Sequence, residues 1–271
     1  MTDIPYAEVI GDPIAHSKSP LIHGFWLEKL GLDGAYRAAH VTADQLPDYF
    51  QSRRADPLWR GCNVTVPHKL AVMDFVGDPG DVRGTIGAMN TVLRAADGVL
   101  TGTNTDAAGF YAPLAGVDLA GLPVTVIGAG GAARAILFAL VRCNVGSVTI
   151  LNRNVLKGAS LLASFGLKGR ALPLDAAIPP SALIVNASTL GMAGMPPLAP
   201  DLSAQPDDCL VYDIVYAPLQ TGLLAAAEAR GLETIDGLEM LVGQAAVAFE
   251  LFFGVEAPRD HDGDLRAMLV A

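Results

Sequence analysis

Apolar and polar positions alternate in short runs through the first hundred residues, and these runs are separated by stretches with helical spacing. Tyr6–Ile10, Ala35–Val41 and Gly61–Val66 predict strands, because apolar residues recur there at every second position or without interruption. Ser19–Leu30 predicts a helix with Ser19 as its N-cap, Pro20 in the first turn and Gly31 as its stop. Ala43–Arg53 predicts a second helix, and shorter helical pieces are expected near His68–Phe75 and Asp81–Ala88. Asn90–Arg94 and Val99–Gly102 flank Ala-Ala-Asp-Gly, which predicts a hairpin.

The texture changes between Thr103 and Gly116. From Leu122 the order is strand, glycine-rich turn, helix, strand: LPVTVIG, AGGAARAILFALVRC, SVTILN. Apolar runs at Ala182–Asn186 and Leu210–Ile214 continue the pattern. Strands spaced by helices imply βαβ units and a parallel sheet. The expected fold class is therefore α/β with two domains. Residues 1–105 would form the first and residues 106–236 a Rossmann-type second. In residues 237–271, a long apolar helix near Gly237–Phe253 would pack back on the first domain.

Length agrees with this division, since 271 residues suit about two domains. Hydrophobic residues make up 51% and charged residues 17%, which excludes a disordered chain. The net charge of −10, with no basic run, argues against nucleic acid or an anionic membrane as partner. The longest uncharged stretch, Ala176 to Pro200, holds five prolines and cannot span a bilayer as a helix. No signal peptide is visible at the N-terminus. Cys62, Cys143 and Cys209 form no CxxC and have no histidine at ligand spacing, so they read as reduced thiols of a cytoplasmic protein, with no metal expected.

The strand ending at Ile127 runs into Gly128-Ala129-Gly130-Gly131-Ala132-Ala133, a G-x-G-x-x-A pattern. In a dinucleotide fold the first glycine permits the turn, the second lets the backbone approach the pyrophosphate, and the small third residue lets helix and strand pack closely. A merely structural turn is the alternative. The next strand ends at Leu151-Asn152-Arg153, with Lys157 one helical turn on. An NAD site needs an acid there, yet none occurs between Asp118 and Asp175. Arg153 and Lys157 can instead bracket a 2′-phosphate, so NADP(H) is expected; two solvated charges are the bland alternative.

In His16-Ser17-Lys18-Ser19-Pro20, two hydroxyls at a loop-to-helix junction can both donate to one carboxylate, or Ser19 can simply cap. Lys18, between them, is expected to be solvated. In Asn63-Val64-Thr65-Val66-Pro67-His68-Lys69, Asn63 and Thr65 would share a strand face. Lys69 would sit at a helix start, against the dipole preference, as a possible acid or base. His68 reads as packing or as a proton shuttle. Asp106, in Thr103-Asn104-Thr105-Asp106, could cap the following helix or hold a catalytic ammonium.

The runs GDPIAHSKSP, NVTVPHK, IGAMNT, NTD, VIGAGGAARA, LNR, NASTLGM and DGLEMLVGQAA, in this order, resemble the shikimate dehydrogenase family over nearly the whole chain. The resemblance implies an NADP-dependent oxidoreductase of aromatic amino acid biosynthesis that reduces 3-dehydroshikimate to shikimate. It implies Lys69 and Asp106 as the catalytic pair. Ser17 and Ser19 would bind the substrate carboxylate, Thr65, Asn90 and Gln244 the ring hydroxyls, with Asn63 in support and Tyr216 at the cleft. Gly128–Ala133, Asn152, Arg153 and Lys157 would hold the nucleotide, and Met240 would border the nicotinamide. Family members often have Thr at Asn154 and Arg at Lys157, and commonly Asp and Gly at Thr103 and Ala107. Quinate or a related ring acid remains an alternative substrate, and a non-catalytic metabolite sensor an alternative class; retention of Lys69 and Asp106 argues against the sensor. Monomer and homodimer both stay open.

Overall fold

A computed structural model describes residues 4–271, which divide into two compact units, residues 4–105 with Gln244–Ala271, and Asp106–Gly243. The first unit contains β1 (Tyr6–Gly11), α1 (Ser19–Leu30), β2 (Ala35–His40), α2 (Leu46–Ala55), β3 (Trp59–Val64), α3 (Val82–Thr85), β4 (Thr91–Arg94) and β5 (Leu100–Thr103). Its sheet has the order β2-β1-β3-β4-β5; β2, β1 and β3 run parallel, while β4 and β5 form the antiparallel hairpin.

Strand β1 has neighbours on both edges and is buried along its whole length. That burial includes Glu8, whose carboxylate accepts from Arg53 at 2.7 and 3.0 Å and from the Tyr49 hydroxyl at 2.8 Å. A buried carboxylate needs such partners. His23 on α1 has none: both ring nitrogens are buried without a hydrogen bond, and the ring stacks on Tyr36 at 3.9 Å between centroids.

The second unit contains α4 (Asp106–Tyr111), β6 (Pro123–Ile127), α5 (Gly131–Arg142), β7 (Ser147–Leu151), α6 (Val155–Ser164), β8 (Gly169–Leu172), β9 (Leu183–Asn186), β10 (Leu210–Asp213), α7 (Gly222–Ala229) and β11 (Glu233–Ile235). Its sheet is parallel throughout, in the order β11-β10-β9-β6-β7-β8. Val124, Val126, Val148, Ile150, Leu183 and Val185 face α5 and α6, whereas Ile127, Leu151, Ile184 and Val211 pack with α7. A sheet covered on both faces explains the nearly continuous apolar strands. Helix α8 (Gly237–Phe253) follows; its residues from Gln244 onward, and α9 (Asp262–Val270), belong to the first unit. Among the described residues no helix is long and apolar enough to cross a membrane.

Several local expectations change. Lys18, not Ser19, is the N-cap of α1, and the Ser17 hydroxyl accepts the Ser19 N–H at 3.3 Å. Lys18 is not merely solvated, because its Nζ donates to the Leu269 carbonyl. Strand β3 ends at Val64, although the Thr65 N–H still bonds to the Ile10 carbonyl at 2.9 Å. No helix begins at His68. Its segment is a turn leading to a 3₁₀ stretch, Ala71–Asp74, because the Lys69 carbonyl is taken by the Met89 N–H at 2.8 Å. The helix expected over Asp81–Ala88 shrinks to α3, ended by Gly87 at φ 71°. The three cysteines are free; Cys62 and Cys209 are buried and Cys143 is half-buried.

Candidate functional site

In the first unit, the side chains singled out by sequence gather around the β3–β4–β5 edge. The antiparallel register sets Asn63 directly opposite Thr91, and Thr91 opposite Thr103. Opposed residues share one face, so their polar groups meet. Asn63 Nδ2 donates to Thr91 Oγ1 at 3.1 Å, and its Oδ1 accepts from the Tyr36 hydroxyl at 2.6 Å. Thr91 Oγ1 donates to Asn90 Oδ1 at 3.0 Å. Asn90 is the hub. Its Oδ1 also accepts the Thr105 N–H at 2.7 Å, and its Nδ2 donates to Thr105 Oγ1 at 2.9 Å and to Gln244 Oε1 at 3.4 Å.

Asn63, Asn90, Thr91, Thr105 and Gln244 are all buried. They carry only amides and hydroxyls, each able to donate and accept. Such a set suits a neutral polyhydroxylated ligand better than an ion. Ser19 is buried, while Ser17, Thr65 and Lys69 are half-exposed. The turn bearing Lys69 is fixed on both sides: the buried His68 ring nitrogen Nε2 bonds to the Val41 carbonyl at 2.6 Å, and the His68 N–H bonds to the Thr65 carbonyl at 2.9 Å. His68 thus serves packing. Asp106 opens α4 in the other unit and is 4% exposed.

In the second unit, the strand order reverses between β6 and β9, because the chain proceeds to β7 and β8 on one side and to β9, β10 and β11 on the other. Ligands of open α/β sheets bind at the carboxyl edge of such a switch point. The glycine turn lies there. Gly128 has φ 107°, and a Cβ on it would meet the Ala187 carbonyl and Ser188 Cβ at 3.0 Å. Only glycine fits that position. A Cβ on Gly130 would meet nothing within 4 Å. Gly130 is also the N-cap of α5 and has no side chain to satisfy the first-turn N–H groups. This is a cradle with open space over a helix N-terminus, which fits a pyrophosphate. Ala129 and Ala133 are buried; Gly131 and Ala132 begin α5.

Beyond the neighbouring strand β7, Arg153 and Lys157 are exposed and Asn152 Nδ2 donates to the Asn154 carbonyl at 2.8 Å. Asn154 caps α6 by accepting the Lys157 N–H at 3.0 Å, which is the task a threonine could perform there. Tyr216 is half-buried, and desolvation raises its phenol above the ordinary range. Met240 is 6% exposed and packs in the apolar cluster with Val124, Ile136 and Tyr212.

Sequence reading overlooked two features. One is the Ala187–Gly191 segment, which forms the wall beside Gly128; the run NASTLGM was its signal. The other is Asp213, fully buried at the end of β10 and marked in the sequence only by a charge inside the apolar run LVYDIVY.

Comparison with known proteins agrees along the chain. The profile of the shikimate dehydrogenase substrate binding domain matches residues 9–92, and that of the shikimate 5′-dehydrogenase C-terminal domain matches residues 237–261. The shikimate dehydrogenase (NADP(+)) of Sphingopyxis alaskensis is 70% identical over 98% of this chain and 97% of its own length. The crystal structure of shikimate 5-dehydrogenase from Thermus thermophilus, in complex with NADP(H) and shikimate, superposes with a TM-score of 0.85 at 36% identity, covering 98% of this chain and all of that one. Quinate dehydrogenase from Corynebacterium glutamicum, in complex with NAD, gives a TM-score of 0.83 at 28% identity, covering 98% and 99%.

Proposed function

The chain belongs to the shikimate dehydrogenase family of NADP-dependent oxidoreductases, and from that premise we propose that it interconverts 3-dehydroshikimate and shikimate with Lys69 and Asp106 as its catalytic pair. The observation that carries the reading is the 70% identity over 98% of the chain. The chemistry of each end supports it. A ring acid needs a carboxylate site and several hydroxyl sites. Ser17 and Ser19 supply hydroxyl donors for the first, and Thr65, Asn90 and Gln244 supply neutral partners for the others, with Asn63 bracing Thr91 beneath them. Tyr216 would contribute a phenol at the substrate.

Bound NADPH supplies the hydride. The Gly128–Ala133 cradle would hold its pyrophosphate, and Arg153 and Lys157 would hold its 2′-phosphate, with Asn152 beside them. Met240, held in its apolar cluster, would border the nicotinamide. In the reductive direction the Lys69 ammonium donates a proton to the carbonyl oxygen as negative charge develops there. The Asp106 carboxylate orients Lys69 and accepts a hydrogen bond from a neighbouring ring hydroxyl. The reverse reaction uses Lys69 as an amine base.

The protein would act in the cytoplasm on small molecules alone, without nucleic acid or membrane, as monomer or homodimer. Absorbance of reduced nicotinamide, with shikimate or quinate paired with NADP or NAD, tests the function. Fastest turnover is expected for shikimate with NADP. Preference for quinate with NAD would transfer the reading to the quinate enzymes, and no turnover in any pair would remove it.

A further inference from the structure

The carboxylate of Asp213 is fully buried at the carboxyl end of β10, in register with Asn186 at the end of β9. Burial raises its pKa above the ordinary carboxylate value, so the site bears a desolvation cost that an apolar residue would avoid. Three donors converge on it. Oδ1 accepts from Asn186 Nδ2 at 2.8 Å and from the Val215 N–H at 3.0 Å, and Oδ2 accepts from Thr221 Oγ1 at 2.7 Å. Asn186 passes the restraint on: its Oδ1 accepts from the Ser188 N–H at 3.1 Å and hydroxyl at 2.7 Å, and its Nδ2 donates to the Leu190 carbonyl at 3.0 Å. Two residues past Gly191, the Ala193 N–H donates to the Ala217 carbonyl at 2.9 Å and ties the segment after β9 to the one after β10. A Cβ on Gly237 would strike the Val215 carbonyl, so the second loop lies hard against the start of α8.

These loops, Ala187–Gly191 and Ile214–Ala217, follow β9 and β10 on one side of the switch point. Arg153 and Lys157 follow β7 on the other side. A dinucleotide with its pyrophosphate at Gly128 and its 2′-phosphate at Arg153 must extend its remaining half over the β9 and β10 loops. We infer that Asp213 is a positioning residue, which holds these two loops in register as the wall for the nicotinamide half of NADP(H) and fixes the backbone just ahead of Tyr216. It works through Asn186, Val215 and Thr221 and touches no ligand. An asparagine would turn an amide N–H toward one of these donors and lose the three-way acceptance.

The inference rests on the NADP(H) reading above, and its test separates the two halves of the cofactor. NADPH affinity is measured by fluorescence titration and compared with that of adenosine 2′,5′-bisphosphate, which lacks the nicotinamide half. Asp213→Asn should weaken NADPH at least fivefold and leave the bisphosphate within twofold. Thr221→Val should show the same split, and Thr221→Ser, which keeps the hydroxyl, should restore wild-type affinity for both. The Thr221 pair decides the matter if Asp213→Asn does not fold. Parallel loss of both ligands would reduce Asp213 to a general stability role, and unchanged affinity for both would dismiss it; either overturns the inference. A wild-type protein that binds NADPH yet turns over neither shikimate nor quinate would defeat the proposed activity, while the affinity split would still judge Asp213.

Discussion

The polar end of each unit is built on a different principle. In the first unit, the polar atoms belong to buried side chains: Asn63, Asn90, Thr91, Thr105 and Gln244 form one hydrogen-bonded cluster, from which the proposed site draws Asn90 and Gln244. In the second, the polar atoms of the proposed cofactor site are backbone N–H groups at a glycine turn and the exposed cations Arg153 and Lys157. A buried amide network fixes direction, and each member depends on the others, so it discriminates among hydroxyl patterns. A helix terminus with exposed surface cations attracts phosphate by charge and tolerates variation in each contact. The Asn154 and Lys157 departures fall on the tolerant side, whereas Thr103 and Ala107 flank Lys69's expected partner Asp106 and leave both of those residues intact.

That contrast can be broken by mutation. The largest effect is expected at the reacting group: Lys69→Ala should lower kcat by about 10²–10⁴ with modest change in KM, and near-wild-type kcat would remove Lys69 from the chemistry. Next comes pH. His23 is fully buried without partners, and burial lowers its pKa to about 3 from 6.5. The unfolded chain therefore takes up a proton below pH 6.5 that the folded chain refuses, and stability falls on acidification until about pH 3. At pH 5 the loss is about 2 kcal/mol relative to neutral pH, at roughly 1.4 kcal/mol per pH unit. Urea unfolding of the wild type and of His23→Phe at both pH values checks this, since the variant should lose that term. Asp213 works in the opposite sense: its raised pKa lowers stability as pH rises through the carboxylate range, so acid relieves the second unit's buried charge while it burdens the first unit's buried ring.

Arg153→Ala should weaken NADPH about tenfold, near 1.4 kcal/mol, with less loss at high salt. A loss independent of salt would mean that Arg153 is not a screened surface contact. The smallest effect belongs to Ser19→Ala, expected to raise KM for shikimate a few-fold with kcat within twofold, because a carboxylate is held alike in substrate and transition state. A pure kcat effect in steady-state assays would contradict carboxylate binding at Ser19.

Local signals made the second unit's cradle legible in advance. The order strand, Gly128, Gly130, Ala133, helix needs no distant partner, and α1 and α8 occupy the spans expected from their apolar spacing. The Lys69 turn was not legible, because its shape depends on Met89 and Val41, which lie far along the chain. Asn63 and Thr65 could be read as a polar pair, but not that Tyr36 and Thr91 would hold Asn63 between them. Lys18 looked solvated until α9 brought the Leu269 carbonyl to it. Strands β8 and β11 carry little signal in the sequence because they are short and partly exposed at the sheet's two edges. Asp213 belongs to no motif; only its burial and its three donors reveal its task.

The cysteines give the two units separate clocks. Burial pushes the Cys62 thiol well up and that of Cys209 up to about 11, so neither offers appreciable thiolate to an alkylating reagent while its surroundings stay closed. Cys62 lies in the first unit and Cys209 in the second. Mass-resolved alkylation at neutral pH would therefore time the opening of each unit independently, with no label added to the protein.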